Sequence, residues 1–121
     1  TLLMKNKPDL YMSMIDTAEV VAKRYNISRD KQDEYALQSQ QRTYNAQNNG
    51  YFNDEIIPVK TTKALKNLES KQTFYEEVEI TKDECNRPST DIEGLRNLKP
   101  VMGENSFITA GNSSQLSDGS S

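Results

Sequence analysis

Apolar residues in this chain never run together for more than a few positions, and that thin, interrupted pattern bounds what it can fold into. A membrane-spanning helix needs about 20 consecutive apolar residues, and a fully buried strand needs a shorter continuous run. What remains is a set of short elements with little apolar surface each. There is little to bury: 34% of residues are apolar, 27% are charged, and Trp is absent. Such an apolar share is low for an ordinary globular domain. At 121 residues the chain has room for one domain or for part of a larger one. With this composition, either much of the chain is surface or its buried face rests on protein outside this chain.

Charge and residue chemistry exclude several functions. The net charge is −3 with both signs interspersed, which provides no footprint for nucleic acid and no polybasic patch for anionic lipid. Leu2-Leu3-Met4 is too short for the apolar core of a signal segment, and the chain opens with Thr rather than Met. Histidine is absent, so neither a Ser-His-Asp nor a Cys-His nucleophilic site can be assembled from this chain alone. A zinc site with the usual Cys/His ligands is equally out of reach, and no metal is expected. The single cysteine, Cys85, excludes an internal disulfide framework and suits a reducing compartment, read here as the cytoplasm. It stands in Asp83-Glu84-Cys85-Asn86, where two acids disfavour the thiolate, so no catalytic residue is assigned.

Local signals divide the chain into short elements. Pro8 breaks any helix in the first segment. A helix is predicted from Asp16 or Thr17, with Ala18, Val21, Ala22 and Tyr25 on its apolar face and Asn26 ending it. Ser28 caps a longer helix that runs through Asn49 and stops at Gly50, where a left-handed residue carries no Cβ penalty. Its small-residue stripe, Ala36, Ser39, Thr43 and Ala46, either admits a close neighbour or faces solvent. Glu55 to Val59 reads as an extended segment that Pro58 confines to an edge. Lys60 to Gln72 lacks periodicity and reads as a loop or weak helix, while Phe74, Val78 and Ile80 alternate with charges as in a half-buried strand. Thr90 to Glu93 has the form of a capping box ahead of a short helix carrying Ile92, Leu95 and Leu98, closed by Pro100. Phe107-Ile108-Thr109 is a further candidate strand.

The last stretch, Thr109-Ala110-Gly111-Asn112-Ser113-Ser114-Gln115-Leu116-Ser117-Asp118-Gly119-Ser120-Ser121, has two readings. By composition it is a flexible linker. Alternatively, Gly111 lets backbone approach a ligand closely while small hydroxyls supply compact donors and acceptors. Residue character alone leaves both open.

The same string resembles the thiolase signature, a Thr-Ala-Gly-Asn-Ala-Ser core followed by Asp-Gly-Ala, with Ser113 and Ser120 where Ala is usual. Thr17-Ala18-Glu19-Val20-Val21-Ala22, Tyr25, Ile27-Ser28-Arg29 and Gln32-Asp33 resemble a helix-loop-helix of that family. Ser39 to Arg42, Gly50-Tyr51-Phe52, Glu55 to Pro58, Arg87 to Thr90 and Leu98 to Val101 follow in the family's order. The resemblance implies an α+β fold: a thiolase loop domain over residues 1–105, helical with short strands, inserted in an αβαβα core whose returning strand and helix begin at 106–121. It implies coenzyme A as substrate. Arg87 matches the position meeting the adenine-ribose end, Ser114 the serine bonding the pantetheine arm, and Met14 a methionine lining the channel near the thioester. The catalytic cysteine, histidine and second cysteine of the family are not matched here. The parent is then an acyltransferase that interconverts a 3-ketoacyl-CoA plus CoA with acetyl-CoA plus a shortened acyl-CoA, and is a homodimer or homotetramer. Ser13, Ile15 and Gly94 depart from the family pattern at positions usually His, Gly and, in some members, Ser. The alternative is a non-catalytic ligand-binding or interaction module derived from a thiolase.

Overall fold

The computed structural model describes residues 1–117, so Asp118, Gly119 and Ser120 of the signature lie outside the described residues. Two compact units divide the chain: Thr1–Arg42 with Pro88–Ser121, and Thr43–Arg87.

The first unit is helical. A one-turn helix α1 (Leu2–Asn6) precedes a 3-10 turn, Pro8–Tyr11, in which Pro8 occupies the opening position. The ring that bars Pro8 from a helix interior suits the first position of a new turn. Helix α2 (Met14–Arg24) begins two to three residues before the predicted start. Its cap is Ser13, whose Oγ accepts the Asp16 backbone N–H at 3.1 Å and donates to the Asp16 carboxylate at 2.6 Å. That reciprocal pair outcompetes Asp16 and Thr17 as caps because it satisfies a backbone donor and a side chain together. The buried stripe is also rotated from the predicted one. Ala22 and Glu19 are buried and Ile15 and Ala18 half-buried, whereas Val21 and Tyr25 are exposed.

Helix α3 (Arg29–Asn48) runs from the first unit into the second. Both long helices end in the same way. Asn26, at φ 52°, follows α2 with Ile27 N–H bonded to the Ala22 carbonyl at 2.9 Å. Gly50, at φ 73°, follows α3 with Tyr51 N–H bonded to the Ala46 carbonyl at 3.0 Å. This left-handed cap with its six-to-one bond recovers carbonyls that the helix end would otherwise leave orphaned. In the first unit a short helix α4 (Ile92–Arg96) starts from Asp91, whose carboxylate accepts the Gly94 N–H at 2.6 Å. Asp91 therefore displaces the predicted Thr90 as cap.

The second unit centres on an antiparallel hairpin, β1 (Val59–Lys66) and β2 (Thr73–Ile80), in register from Val59 opposite Ile80 to Lys66 opposite Thr73. Strand β2 matches the predicted alternation. Strand β1 occupies much of the predicted loop, and Glu55 to Pro58 ahead of it is turn and irregular chain. One face of the ribbon carries Val59, Leu65, Phe74, Val78 and Ile80, of which only Leu65 and Val78 are half-buried. A two-stranded ribbon is marginally stable by itself, and its exposed apolar face needs a cover.

Among the described residues three apolar side chains are buried: Ala22, Leu95 and Ile108, all in the first unit. Gly111 packs against this cluster. A Cβ placed there would lie 2.5 Å from Leu95 Cδ2 and 2.6 Å from Leu98 Cδ1, inside van der Waals contact. Gly111→Ala is therefore expected to destabilise the protein by about 1–3 kcal/mol through overpacking. In a Leu95→Ala background the added cost should shrink, because one of the two obstructing methyls is gone. Equal costs in both backgrounds by chemical denaturation would contradict the packing described. Gly50→Ala is expected to cost about 1 kcal/mol for a left-handed non-glycine residue. An unchanged denaturation midpoint would show that the cap does not need glycine.

Candidate functional site

The most deeply buried groups of the first unit are as often polar as apolar. Asp33 and Thr109 have no exposed surface and Glu19 is 6% exposed. Burying a carboxylate without partners is costly, so the partners define the site.

Asp33 lies one turn along α3 from Arg29, the i,i+4 spacing at which side chains meet on a helix. Arg29 Nε donates to Asp33 Oδ2 at 2.7 Å. The same guanidinium reaches across to α4, donating through Nη2 to the Leu95 carbonyl at 2.6 Å and the Leu98 carbonyl at 3.2 Å. A planar fork with several fixed donors can serve a carboxylate and helix-end carbonyls at once, which a lysine cannot. The other carboxylate oxygen, Oδ1, accepts from Asn112 Nδ2 at 3.0 Å.

Asn112 uses its whole amide. Besides Asp33, Nδ2 donates to the Phe107 carbonyl at 3.0 Å, and Oδ1 accepts the Thr109 N–H at 2.8 Å. Thr109 Oγ1 in turn accepts from the Gly111 and Asn112 backbone N–H groups, at 3.2 and 3.3 Å. Ser113 Oγ donates to the Thr109 carbonyl at 2.7 Å. Upstream, Glu19 Oε1 accepts the N–H groups of both Phe107 and Ile108 at 2.8 Å, while Glu19 Oε2 is buried with no hydrogen-bond partner. These side chains satisfy the N–H groups of 107–109, 111 and 112 and the carbonyls of 107 and 109, while the Ile108 carbonyl accepts the Val101 N–H at 2.9 Å. Hence the predicted strand at Phe107 to Thr109 is absent: the segment is irregular, and buried at Ile108 and Thr109. The linker reading of the tail fails for the same reason through Ser113. Its small polar residues are turned inward as structural bonds.

Met14 and Ser114 lie at the edges of this framework. Met14 is the first residue of α2 and 79% exposed. Ser114 is exposed immediately after the bonded segment, its Oγ donating to the Gln115 carbonyl at 3.2 Å. Both belong to the first unit, and Arg87, exposed in irregular chain between β2 and α4, is the last residue of the second. Two shallow depressions of about 320 and 440 Å³ share Asp16, Glu19 and Lys23 in their walls and include none of the three. Cys85 is at the surface, its backbone N–H donated to Asp83 Oδ1 at 2.7 Å. Among the described residues no group of three His, Cys, Asp or Glu could hold a metal ion, and no helix is long and apolar enough to cross a membrane. Residue reading missed the roles of Glu19, Arg29, Asp33 and Asn112. The Arg29–Asp33 spacing was the available signal.

Comparison with known proteins gives these positions a context. The family model described as the thiolase N-terminal domain matches residues 3–121. The human peroxisomal 3-ketoacyl-CoA thiolase is 45% identical over 119 residues, 98% of this chain and 27% of its own length. The rat mitochondrial 3-ketoacyl-CoA thiolase is 47% identical over 103 residues, 85% of this chain and 23% of its own. Among solved structures, human mitochondrial 3-ketoacyl-CoA thiolase in complex with CoA aligns with a TM-score of 0.67 and 39% identity, covering 87% of this chain and 23% of that one. The chain thus spans about a quarter of the length of these relatives. Their compartments overturn the cytoplasmic expectation, since these relatives are peroxisomal or mitochondrial. A lone thiol reports on redox environment and carries no address. Family match, identity and fold agree, and the chain belongs to the thiolase family, as part of its N-terminal domain.

Proposed function

We propose that this chain forms the coenzyme A-holding portion of a thiolase that interconverts a 3-ketoacyl-CoA plus CoA with acetyl-CoA plus a shortened acyl-CoA. The observation that carries the reading is the 39% identity, over 87% of this chain, to a thiolase solved with CoA. In this reading residues 1–105 are the loop domain over the active site and 106–121 begin the returning core. The catalytic cysteines and histidine come from the rest of the parent, which is a homodimer or homotetramer. With no histidine in the chain, its contribution is to bind and orient.

Each proposed contact suits its chemistry. The Arg87 guanidinium can stack on the flat adenine while meeting anionic oxygens of the nucleotide. The Ser114 hydroxyl is compact and exposed, able to donate to or accept from the amides of the pantetheine arm. Met14 offers an exposed, flexible thioether to the narrow end of the channel. The scarcity of buried apolar side chains, with Val59, Phe74 and Ile80 about half exposed on one hairpin face, supports a piece completed by the remainder of a thiolase core.

Arg87→Ala in the full-length protein is expected to weaken CoA binding about tenfold or more, the loss of a charge-assisted contact. Isothermal titration calorimetry measures this directly. Equal affinity in wild type and variant would remove Arg87 from the site.

A further inference from the structure

We propose that Asp33 and Asn112 are positioning residues that fix the backbone from which Ser114 meets the pantetheine arm; the proposal rests on the assignment of Ser114 made above. Every side chain from Phe107 to Ser113 that can hydrogen-bond is engaged by a partner within the first unit. Thr109 holds the Gly111 and Asn112 amides, Asn112 holds Phe107, Thr109 and Asp33, and Ser113 holds the Thr109 carbonyl. Ser114 is the first hydroxyl beyond this segment, exposed, and among the described residues its bond is the weak local one to the Gln115 carbonyl at 3.2 Å. Its place is therefore set by the turn that delivers it.

That turn is tied to α3 by the hydrogen bond from Asn112 Nδ2 to Asp33 Oδ1, between residues 79 apart in sequence. Asp33 is completely buried and held from its other side by Arg29, which also grips the end of α4. A ligand cannot touch Asp33. Asp33 acts on ligand affinity through what it holds: the Asn112 turn on one oxygen and, through Arg29, the end of α4 on the other. Ordering that turn on folding, rather than on ligand arrival, removes an entropic cost from binding. Gly111 serves the same end, because no side chain fits between it and Leu95.

The test is a double-mutant cycle in the full-length protein, reading KM for CoA and kcat for Ser114→Ala, Asp33→Asn and the pair. Asp33→Asn keeps the volume and an acceptor for Arg29, and Asn112→Ser replaces it in the cycle should that variant fail to fold. The expected result is a rise in KM of about tenfold for Ser114→Ala and about three- to tenfold for Asp33→Asn, with kcat falling by smaller factors. The pair should be no worse than Ser114→Ala alone, since nothing is left to position. Multiplying single effects would overturn the proposal, as would an unchanged KM in Asp33→Asn beside a raised one in Ser114→Ala. An unchanged KM in Ser114→Ala would instead overturn the assignment of Ser114, and the positioning role with it.

Discussion

The buried Asp33 carboxylate is the constraint on which the first unit depends. Arg29 takes one oxygen and Asn112 the other, and through these two side chains the carboxylate joins α3 to the end of α4 and to the 107–113 turn. Withdrawing a carboxylate from water is costly unless it is paired, and removing one partner from such a pair costs about 3–5 kcal/mol. With Ala22, Leu95 and Ile108 the only buried apolar side chains among the described residues, a loss of that size has little else to offset it. The first unit is therefore specified by hydrogen-bond geometry more than by apolar area. Glu19 repeats the device on α2, bonding two successive backbone donors of the same turn.

What was legible in the residues was what local chemistry decides. Helix stops at Asn26 and Gly50 could be read because a left-handed cap depends on one residue and its neighbours. The β2 strand was legible because Phe74, Val78 and Ile80 alternate with charges. Its partner was not, because Val59 to Lys66 mixes Lys, Thr and Ala without apolar contrast and acquires strand character only by pairing. The start of α2 was displaced because Ser13, Asp16 and Thr17 all have cap chemistry, and only the reciprocal Ser13–Asp16 geometry selects among them.

The turn after Ile108 escaped for another reason. Thr, Gly, Asn and Ser are the residues of a linker and equally those of a tightly bonded turn. The difference lies in Asp33, a partner 79 residues away that composition cannot see. Resemblance to thiolases bridged that gap by naming the string without explaining it, and the hydrogen bonds supply the explanation. Met14, Ser114 and Arg87 were marked by resemblance. The buried groups behind the signature turn were visible only as scattered landmarks, Glu19, Arg29 and Asp33, with no stated task.

A division of labour follows for a chain that spans a quarter of its relatives and has no histidine. Met14 and Ser114 are exposed at the margins of the first unit. Buried polar groups keep the backbone between them from moving. Apolar positions on the hairpin and at α1 remain open to other protein.

Native-state hydrogen exchange resolved at single amides tests the central claim most directly. The amides of Phe107, Ile108, Thr109 and Asn112, bonded by side chains within an irregular segment, should exchange slowly and together, and Asp33→Asn should release Thr109 and Asn112 as one unit. Exchange at those four positions as fast as at an unbonded surface loop in the unaltered protein would contradict the claim.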